Sequence, residues 1–354
     1  MKYRTLAFSL FTLLLSCILL LLISCQEQKN TLDFMAMNTY MRIQIYSKAD
    51  SKSQQKAQII LQDCKNEIQA LENIISTTIP TSDIYKLNNS FATPLQVNSC
   101  ILELLNFSSK IYKKTEGAFN PALYPIIREW GFTSGDYKIP SQEKIAWLLQ
   151  YTDFDKIFFP SPNTSNNPQI QLPQNMQLDF GAIGKGYAGD KVLELLRQKG
   201  ITSALLDFGG NIQALGRKPD GSLWKVGIKN PWDSSVICSV SIDSKAVITS
   251  GGYERFFIGD DGKKYIHIFD SKTGYPCEND LESVTIVTQS GSYADALSTS
   301  LYVMGKEGAI NFWKNNSDFD FILITKDQEL LYSDGLKDFV KPLYDSLKVS
   351  LINR

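Results

Sequence analysis

LDFGAIGKGYA, residues 178–188, joins a short apolar segment to a helical pattern through three glycines and a lysine. Gln177–Phe180 is predicted to be a strand, and Lys185–Lys199 has apolar residues at helical spacing. Glycines let a ligand approach the backbone, and the N–H groups at the start of a helix favour an anion. The spacing matches neither a Walker loop nor a Rossmann fingerprint. The stretch therefore predicts a strand–turn–helix unit that either binds an anion or serves only as a turn.

Patterns typical of strands and helices follow one another irregularly on both sides of this stretch. Further strands are predicted at Thr39–Tyr46, Ala204–Phe208, Trp224–Ile228, Val236–Ile242, Tyr265–Phe269 and Ser283–Thr288. Further helices are predicted at Ser53–Ile75, around Cys100–Thr115, at Tyr293–Met304 and at Asp334–Lys348. Because a regular strand–helix–strand order is missing, the sequence predicts an α+β fold rather than a doubly wound sheet.

The composition is that of a globular protein without a nucleic-acid partner. The 354 residues are 43% hydrophobic and 21% charged, which is enough apolar content for a core. The net charge is −1, and it becomes more negative if Lys2 and Arg4 are removed with a leader. Nucleic-acid binding depends on a basic surface, so this charge balance disfavours it.

The N-terminus predicts export and lipid attachment. Lys2 and Arg4 precede an apolar run from Leu6 to Ile23, which is the pattern of a secretory signal. The run ends in Leu22-Ile23-Ser24-Cys25, which resembles a bacterial lipobox with Cys25 as the lipid-modified residue. We therefore predict a signal peptide at 1–24, a tether at 25–33 and a single domain at 34–354, on the periplasmic side of the inner membrane. The alternative is an uncleaved transmembrane anchor, which also places the domain outside the cytoplasm.

Four cysteines lie in the predicted domain: Cys64, Cys100, Cys238 and Cys277. They are widely spaced and contain no CxxC pair, which argues against a structural zinc site. The sequence leaves two alternatives open, namely one disulfide in an oxidising compartment or four buried small apolar side chains.

Further motifs carry residues suited to ligand binding. GAFNP at 117–121 precedes WGF at 130–132, and DFGGN at 207–211 reads as a strand followed by a tight turn. TSGGYERFF at 249–257 precedes YIHIFD at 265–270, which contains His267, the single histidine of the chain. ADALSTS at 294–300 places Asp295 and Thr299 four residues apart on a helix, so their oxygens share one face. That pair is a half-site for a hard cation, or alternatively a helix-terminal acid and a packed threonine.

Taken together and in this order, the motifs resemble the ApbE family, the FAD:protein FMN transferases, from about Met37 to Asp334. The resemblance implies a compact α+β unit, related to the T-fold, with FAD in a cleft near a domain junction. It also implies an Mg²⁺-dependent reaction in which FMN passes to a threonine of an exported redox subunit and AMP is released. The lipid anchor inferred from Cys25 agrees with this reading.

The resemblance also implies roles for individual residues. Mg²⁺ would bind the backbone carbonyl of Ala182, the side chains of Asp295 and Thr299, and phosphate oxygens of FAD. His267 would take the proton from the attacking threonine hydroxyl, because its ordinary pKa lies near neutrality. The residues implied to contact FAD are Met37, Thr78, Ala118, Phe119, Asn120, Asp179, Lys185 and Phe269.

Three positions depart from the commoner family pattern. Thr78 stands where many members have a tyrosine, Asn120 replaces a frequent aspartate, and Ser298 replaces an acid. Members without the tyrosine include enzymes that hydrolyse FAD to FMN and AMP. Hydrolysis therefore stays open beside transfer, and a flavin-binding lipoprotein without chemistry is the alternative from another class. A sugar- or peptide-binding lipoprotein would explain the anchor but none of these motifs.

Overall fold

The computed structural model describes residues 27–91, 93–160, 168–233, 235–344 and 347–354. The predicted signal peptide and Cys25 lie outside these ranges. Within them, no helix combines the length and the apolar composition that crossing a bilayer requires.

Seven α-helices form in the described residues: α1 Ser51–Ile75, α2 Asp83–Asn89, α3 Ser99–Lys114, α4 Tyr124–Glu129, α5 Gln142–Leu149, α6 Gly184–Gln198 and α7 Gly291–Lys314. Short 3₁₀ turns occur at Pro121–Leu123, Phe154–Lys156 and Asp334–Leu336. The predictions for α1, α3, α6 and the start of α7 are confirmed to within two residues at most boundaries. Helix α7 continues ten residues beyond its predicted end, through a non-helical Gly305 with φ 71°.

Nine strands form the main sheet, in the order β1-β2-β5-β6-β9-β12-β13-β14-β16. Their bounds are β1 Glu27–Ala36, β2 Thr39–Lys48, β5 Ala204–Phe208, β6 Asn211–Leu215, β9 Ala246–Gly251, β12 Leu281–Thr288, β13 Asp320–Thr325, β14 Glu329–Ser333 and β16 Lys348–Ile352. The smaller sheets use β3 Leu95–Gln96, β4 Gln169–Ile170, β7 Trp224–Lys229, β8 Val236–Ile242, β10 Phe256–Ile258, β11 Lys264–Ile266 and β15 Val340–Pro342. Neighbours in the main sheet are antiparallel except β14 and β16, which are parallel. The predicted α+β class is confirmed.

Three long helices cover one face of the main sheet. Helix α1 packs on β1 and β2, α6 on β5 and β6, and α7 on β9 and β12, and α6 contacts both other helices. The buried residues of α1 recur every three or four positions, from Ala57 to Ile75, so one side of the helix faces the sheet. Asp50 caps its first turn, where its side chain accepts the Ser53 N–H at 3.0 Å.

The opposite face of the main sheet packs against the three-stranded sheet β15-β8-β7. The side chains of neighbouring residues in a strand point to opposite faces of the sheet, and β9 is an example of this alternation. Val247 joins the core between the two sheets, whereas Ile248 joins the core beneath α7. The central strands of the main sheet are therefore buried on both sides, and residues on the side of Ile248 point toward the helices.

Three regions differ from the sequence prediction. Gln177–Phe180 forms no regular secondary structure and joins no sheet, because Leu178 N–H donates to the Asn88 side chain and Asp179 N–H donates to the Pro121 carbonyl. Asp334–Lys348 is not a helix, because its chain forms a 3₁₀ turn and then β15, which pairs with β8. Glu27–Asp33 was assigned to the tether, but it forms the first part of β1 and pairs with β2.

The four cysteines of the predicted domain are free. Cys64 and Cys238 are buried, and Cys100 and Cys277 are half-buried. Burial raises the pKa of each thiol to about 12. They therefore remain neutral thiols at physiological pH, which agrees with the prediction of small apolar side chains.

Candidate active site

One predicted metal residue, Asp295, contacts the first turn of α6 where α6 and α7 approach each other. Gly186, in the first turn of α6, donates its N–H to Asp295 Oδ2 of α7 at 2.9 Å. A Cβ at Gly186 would lie 2.2 Å from the Gly291 carbonyl oxygen and 2.8 Å from the Asp295 Cβ. Glycine is thus required because the two helices approach more closely than any side chain allows. The approach brings the glycine–lysine turn against the ADALSTS helix.

The backbone carbonyl of Ala182 lies just before α6, which begins at Gly184. The first helical acceptor is the next carbonyl, that of Ile183, which accepts the Tyr187 N–H at 2.9 Å. Ala182 is therefore outside the hydrogen-bond ladder of the helix, and among the described residues no backbone N–H reaches its oxygen. The carbonyl is half-buried and available to another ligand.

The start of α7 is fixed by a second contact with α6. Asp190 accepts the N–H groups of Gly291 and Ser292 at 2.6 and 2.9 Å. Its carboxylate also accepts the hydroxyls of Ser290 and Ser292 at 3.1 and 2.7 Å. An acid at a helix N-terminus satisfies unpaired N–H groups and interacts favourably with the helix dipole. Asp190 therefore holds Asp295 and Thr299 in a defined position relative to α6.

The oxygens presented here fit a hard divalent cation. Among the described residues Asp295 Oδ1 accepts no hydrogen bond, and the Thr299 hydroxyl contacts only the Ser250 hydroxyl, at 3.2 Å. Mg²⁺ prefers oxygen ligands and usually keeps several waters or substrate phosphates. No three His, Cys, Asp or Glu side chains of the described part converge on a metal-sized space. A cation held by Asp295, Thr299 and Ala182 would therefore need further oxygens, which a diphosphate supplies.

One ring nitrogen of His267 is fixed by a hydrogen bond, and the other has no hydrogen-bond partner among the described residues. Its Nδ1 lies 3.1 Å from the backbone carbonyl of Arg255, which also accepts the His267 N–H at 3.1 Å. A carbonyl can only accept, so the proton of the neutral ring is on Nδ1 and the lone pair is on Nε2. Burial, followed by the charges of Arg255 and Lys185, lowers the pKa of His267 to about 4. The ring is therefore a neutral base at physiological pH.

Asp179 shares the two cations that act on His267. Burial raises the pKa of Asp179, while the Gly181 N–H and the charges of Arg255 and Lys185 oppose that change. The Gly181 N–H donates to Asp179 Oδ1 at 2.9 Å. Asp179, Lys185 and His267, which were predicted from separate motifs, thus lie in one electrostatic cluster.

The GAFNP motif adjoins this cluster through the backbone. Asp179 N–H donates to the Pro121 carbonyl at 2.9 Å. Phe119 is 2% exposed and belongs to the core beneath α1 and α6. Asn120 is committed to structure, since its Nδ2 donates to the Thr152 carbonyl and its Oδ1 accepts the Ala122 N–H, at 2.9 Å each. Ala118 is half-buried and carries no side-chain polar group.

Met37 and Thr78 lie at the C-terminal end of α1. Met37 occupies the two-residue turn between β1 and β2 with φ 47°, and its N–H donates to Glu72 Oε1 of α1 at 2.7 Å. Thr78 is exposed in the loop after α1, and its hydroxyl lies 3.2 Å from Ser76 Oγ. Met37 and Thr78 are therefore both held by hydrogen bonds to residues at the end of α1.

Phe269 is part of an aromatic cluster behind His267. Its ring lies 5.9 Å from Trp130 and 5.6 Å from Phe132, centroid to centroid, in edge-on geometry. Phe269 is only 4% exposed, so its side chain supports the site more than it offers a surface to a ligand. The WGF motif is thereby explained as packing beneath the histidine segment.

A cavity of about 630 Å³ lies between the end of α3, the loop at 270–272 and the second half of α7. Of the predicted site residues only Ala118 lines it. His267, Asp295 and Thr299 do not, so the cavity is not the reaction centre.

Arg255 is a site residue that the sequence reading did not single out. Its carbonyl fixes His267, and its charge acts on both His267 and Asp179. Its guanidinium donates to the Phe132 carbonyl at 2.6 Å, which ties the hairpin β10–β11 to the aromatic cluster. The arginine lies within the quoted TSGGYERFF motif, but its pairing with a histidine twelve residues later depends on the hairpin.

Comparison with known proteins gives one consistent family. The ApbE family model matches residues 37–323. A FAD:protein FMN transferase of Treponema pallidum is 32% identical over 346 residues, covering 93% of this chain and 94% of the relative. A FAD:protein FMN transferase of Escherichia coli K12 is 30% identical and covers 81% of each chain. The crystal structure of the Thermotoga maritima ApbE protein superposes with a TM-score of 0.80 at 28% identity, covering 88% of this chain and 99% of that one. The Pseudomonas stutzeri flavinyl transferase ApbE gives a TM-score of 0.75 at 27% identity, with coverage of 85% and 92%.

Proposed function

Because this chain belongs to the ApbE family, we propose that it is an enzyme that transfers FMN from FAD to a threonine of an acceptor protein. The curated relatives that match most of its length are named FAD:protein FMN transferase, which supports FAD as substrate and a protein as acceptor. The observation that carries the proposal within this chain is the neutral His267 with its Nε2 lone pair free, beside Lys185 and Arg255.

The reaction balances as a displacement at phosphorus. The threonine oxygen forms a bond to the phosphorus of the FMN half, the bond from that phosphorus to the bridging oxygen breaks, and AMP leaves. His267 Nε2 takes the threonine proton, which makes the oxygen a stronger nucleophile. Lys185 supplies positive charge at the start of α6, where N–H groups also favour phosphate oxygens.

We propose Mg²⁺ as the metal and Asp295, Thr299 and the Ala182 carbonyl as its protein ligands. When bound, Mg²⁺ would neutralise charge on the diphosphate and stabilise the leaving AMP. The assignment is supported by Asp295 Oδ1, which accepts no hydrogen bond among the described residues, and by the Ala182 carbonyl, which no backbone N–H of those residues reaches. The FAD contacts are proposed for Met37, Thr78, Asp179, Lys185 and the 118–120 segment, with Phe269 packed behind them.

Two readouts of one reaction test the function. The mature protein is incubated with FAD, Mg²⁺ and an exported redox domain that carries a flavinylation threonine. We expect in-gel flavin fluorescence on the domain and one AMP released for each flavin attached, and neither without Mg²⁺. AMP together with free FMN and an unlabelled domain would identify an FAD diphosphatase instead. No AMP under any condition would leave only a flavin-binding protein.

We also propose that the enzyme acts outside the cytoplasm, anchored to the membrane through lipidated Cys25. The basic start, the apolar run and the Leu-Ile-Ser-Cys ending support this location. The acceptors in that compartment would be exported redox subunits.

A further inference from the structure

Two hydroxyl groups, those of Ser250 and Ser298, connect the hydroxyl of the predicted metal ligand Thr299 to a backbone carbonyl. Ser250 Oγ lies 3.2 Å from Thr299 Oγ1 and 2.8 Å from Ser298 Oγ. Ser298 Oγ donates to the Asp295 carbonyl at 2.9 Å. Ser250 is on β9 and points to the same side of the sheet as Ile248, toward α7.

The direction of the protons in this chain follows from the carbonyl at its end. A hydroxyl has one proton to donate and two lone pairs to accept with. A carbonyl only accepts, so the Ser298 hydroxyl donates its one proton to the Asp295 carbonyl and must accept a hydrogen bond from Ser250. Because Ser250 then donates its own proton to Ser298, Thr299 must be the donor in the contact with Ser250.

The consequence for Thr299 is that its proton points toward Ser250, which leaves the lone pairs of its hydroxyl oxygen available to a cation. If the Thr299 hydroxyl instead accepted a proton from Ser250, its own proton could point toward the cation, and the positive end of the O–H bond would repel the cation. Asp295 is oriented in a parallel way, because Gly186 N–H occupies Oδ2 and leaves Oδ1 free. Both side chains are thus turned as ligands by their own neighbours.

We propose that Ser250 is a positioning residue for the metal site, which orients the Thr299 hydroxyl through the relay Thr299–Ser250–Ser298–Asp295 carbonyl. The inference rests on the proposed function, since it concerns the metal of that reaction. It also gives Ser298 a role. Where related chains place an acid, this chain has the hydroxyl that closes the relay onto the helix backbone.

The test compares Ser250→Ala with a control variant, Ser300→Ala, which removes a buried hydroxyl from α7. Ser300 is buried and its hydroxyl donates to the Ala296 carbonyl at 2.7 Å, so this hydroxyl is not part of the relay. Mn²⁺ serves as the probe and is titrated by electron paramagnetic resonance in the presence of FAD, with all variants built on His267→Asn so that FAD persists. Mutation of a group that orients a metal ligand typically lowers the metal affinity about 10- to 100-fold. We expect Ser250→Ala to weaken Mn²⁺ binding about tenfold and Ser300→Ala to leave it within about twofold.

A second readout separates positioning from general damage to the fold. In protein with His267 intact, Ser250→Ala should raise the Mg²⁺ concentration for half-maximal AMP release by about tenfold, while the rate at saturating Mg²⁺ stays within about threefold. Ser250→Thr, which keeps the hydroxyl, should restore most of the Mg²⁺ affinity. Unchanged Mn²⁺ binding in Ser250→Ala, or equal weakening in Ser300→Ala, would overturn the inference. Failure of the proposed function is a different result, because the wild type would then release no AMP and label no acceptor.

Discussion

At the scale of single residues, the proton affinity of His267 is the property that links structure to chemistry. Burial and the cations Arg255 and Lys185 all disfavour the protonated ring, and the Arg255 carbonyl fixes the tautomer. An imidazole with its ordinary pKa of 6.5 would be partly protonated near neutrality. This one is ready to accept a proton over the whole physiological range.

The pH dependence of the reaction should reflect this depressed pKa. The quantity kcat/KM reports the free enzyme, so its acid limb should fall only as the pH approaches about 4. The measurement is kcat/KM for FAD between pH 4.5 and 8 with saturating acceptor. A decline that already begins near pH 7 would contradict the assigned state of His267.

Stability should depend on pH through the same group. Between the unfolded pKa of 6.5 and the folded pKa of about 4, the unfolded chain binds more protons than the folded one. The contribution of His267 to stability is therefore present above pH 6.5 and is lost as the pH falls toward 4. Urea unfolding of wild type and His267→Asn across this window should show a steeper loss in the wild type. Parallel curves would be inconsistent with the shift.

Replacing His267 by asparagine should separate binding from turnover. General-base assistance typically contributes about 10²–10⁴-fold, so flavin transfer should fall by that factor. FAD affinity, measured by quenching of flavin fluorescence, should change less than about threefold, because the diphosphate is bound by other groups. Full activity in the variant would remove His267 from the reaction.

At the scale of elements, the contact between α6 and α7 brings Asp295, a proposed metal ligand, against the first turn of α6. Gly186→Ala would place a methyl group 2.2 Å from the Gly291 carbonyl oxygen, and both helices would have to separate. Overpacking of this kind costs about 1–3 kcal/mol. Because the same shift moves Asp295 away from Ala182, Mg²⁺-dependent AMP release should also decline.

Gly184→Ala is the control for this prediction, since it lies in the same turn. Its added methyl group would meet only the flexible tip of Ile75, at 3.1 Å. We expect unchanged or slightly higher stability in urea, because alanine favours helix. Equal losses in the two variants would show that the crossing itself is not what matters.

Sequence patterns predicted the elements whose partners are close in the chain or whose periodicity is strong. Helix α1 and strands β5 and β8 match their predicted bounds closely, since an apolar stripe or alternation determines them locally. Asp334–Lys348 was wrongly predicted as a helix because the pairings of β15 with β8 and of β16 with β14 involve distant strands. Periodicity contains no information about such partners. For the same reason the sequence pattern of Gln177–Phe180 predicts a strand, although the Asn88 side chain and the Pro121 carbonyl accept its backbone N–H groups.

The candidate site shows the same division. Motif order indicated Asp295, Thr299, Lys185 and His267, and the structure places them in two adjoining groups. The order of the motifs could not indicate Ser250 or Arg255, because their roles depend on strands. These strands bring residues 48 and 12 positions apart in the chain into contact. The orientation of a hydroxyl proton is likewise a property of the folded neighbourhood.

At the scale of the whole molecule, Cys25→Ser tests how the enzyme is located. Without the thiol no lipid can be attached, so the protein should no longer partition into the detergent phase and should lose labelling by radioactive palmitate. A matched Cys64→Ser variant, altered at a buried thiol, should keep both properties if it folds. Continued membrane association of Cys25→Ser would instead favour an uncleaved transmembrane anchor.

Strand β1 forms one edge of the nine-stranded sheet and begins at Glu27. With Cys25 lipidated as proposed, only Gln26 separates the acylated residue from that edge, and each residue spans at most about 3.6 Å. A connection this short would keep the edge of the sheet close to the bilayer surface. With that anchor the enzyme would work at the lipid surface, and an acceptor protein would have to present its threonine at that level to receive the flavin.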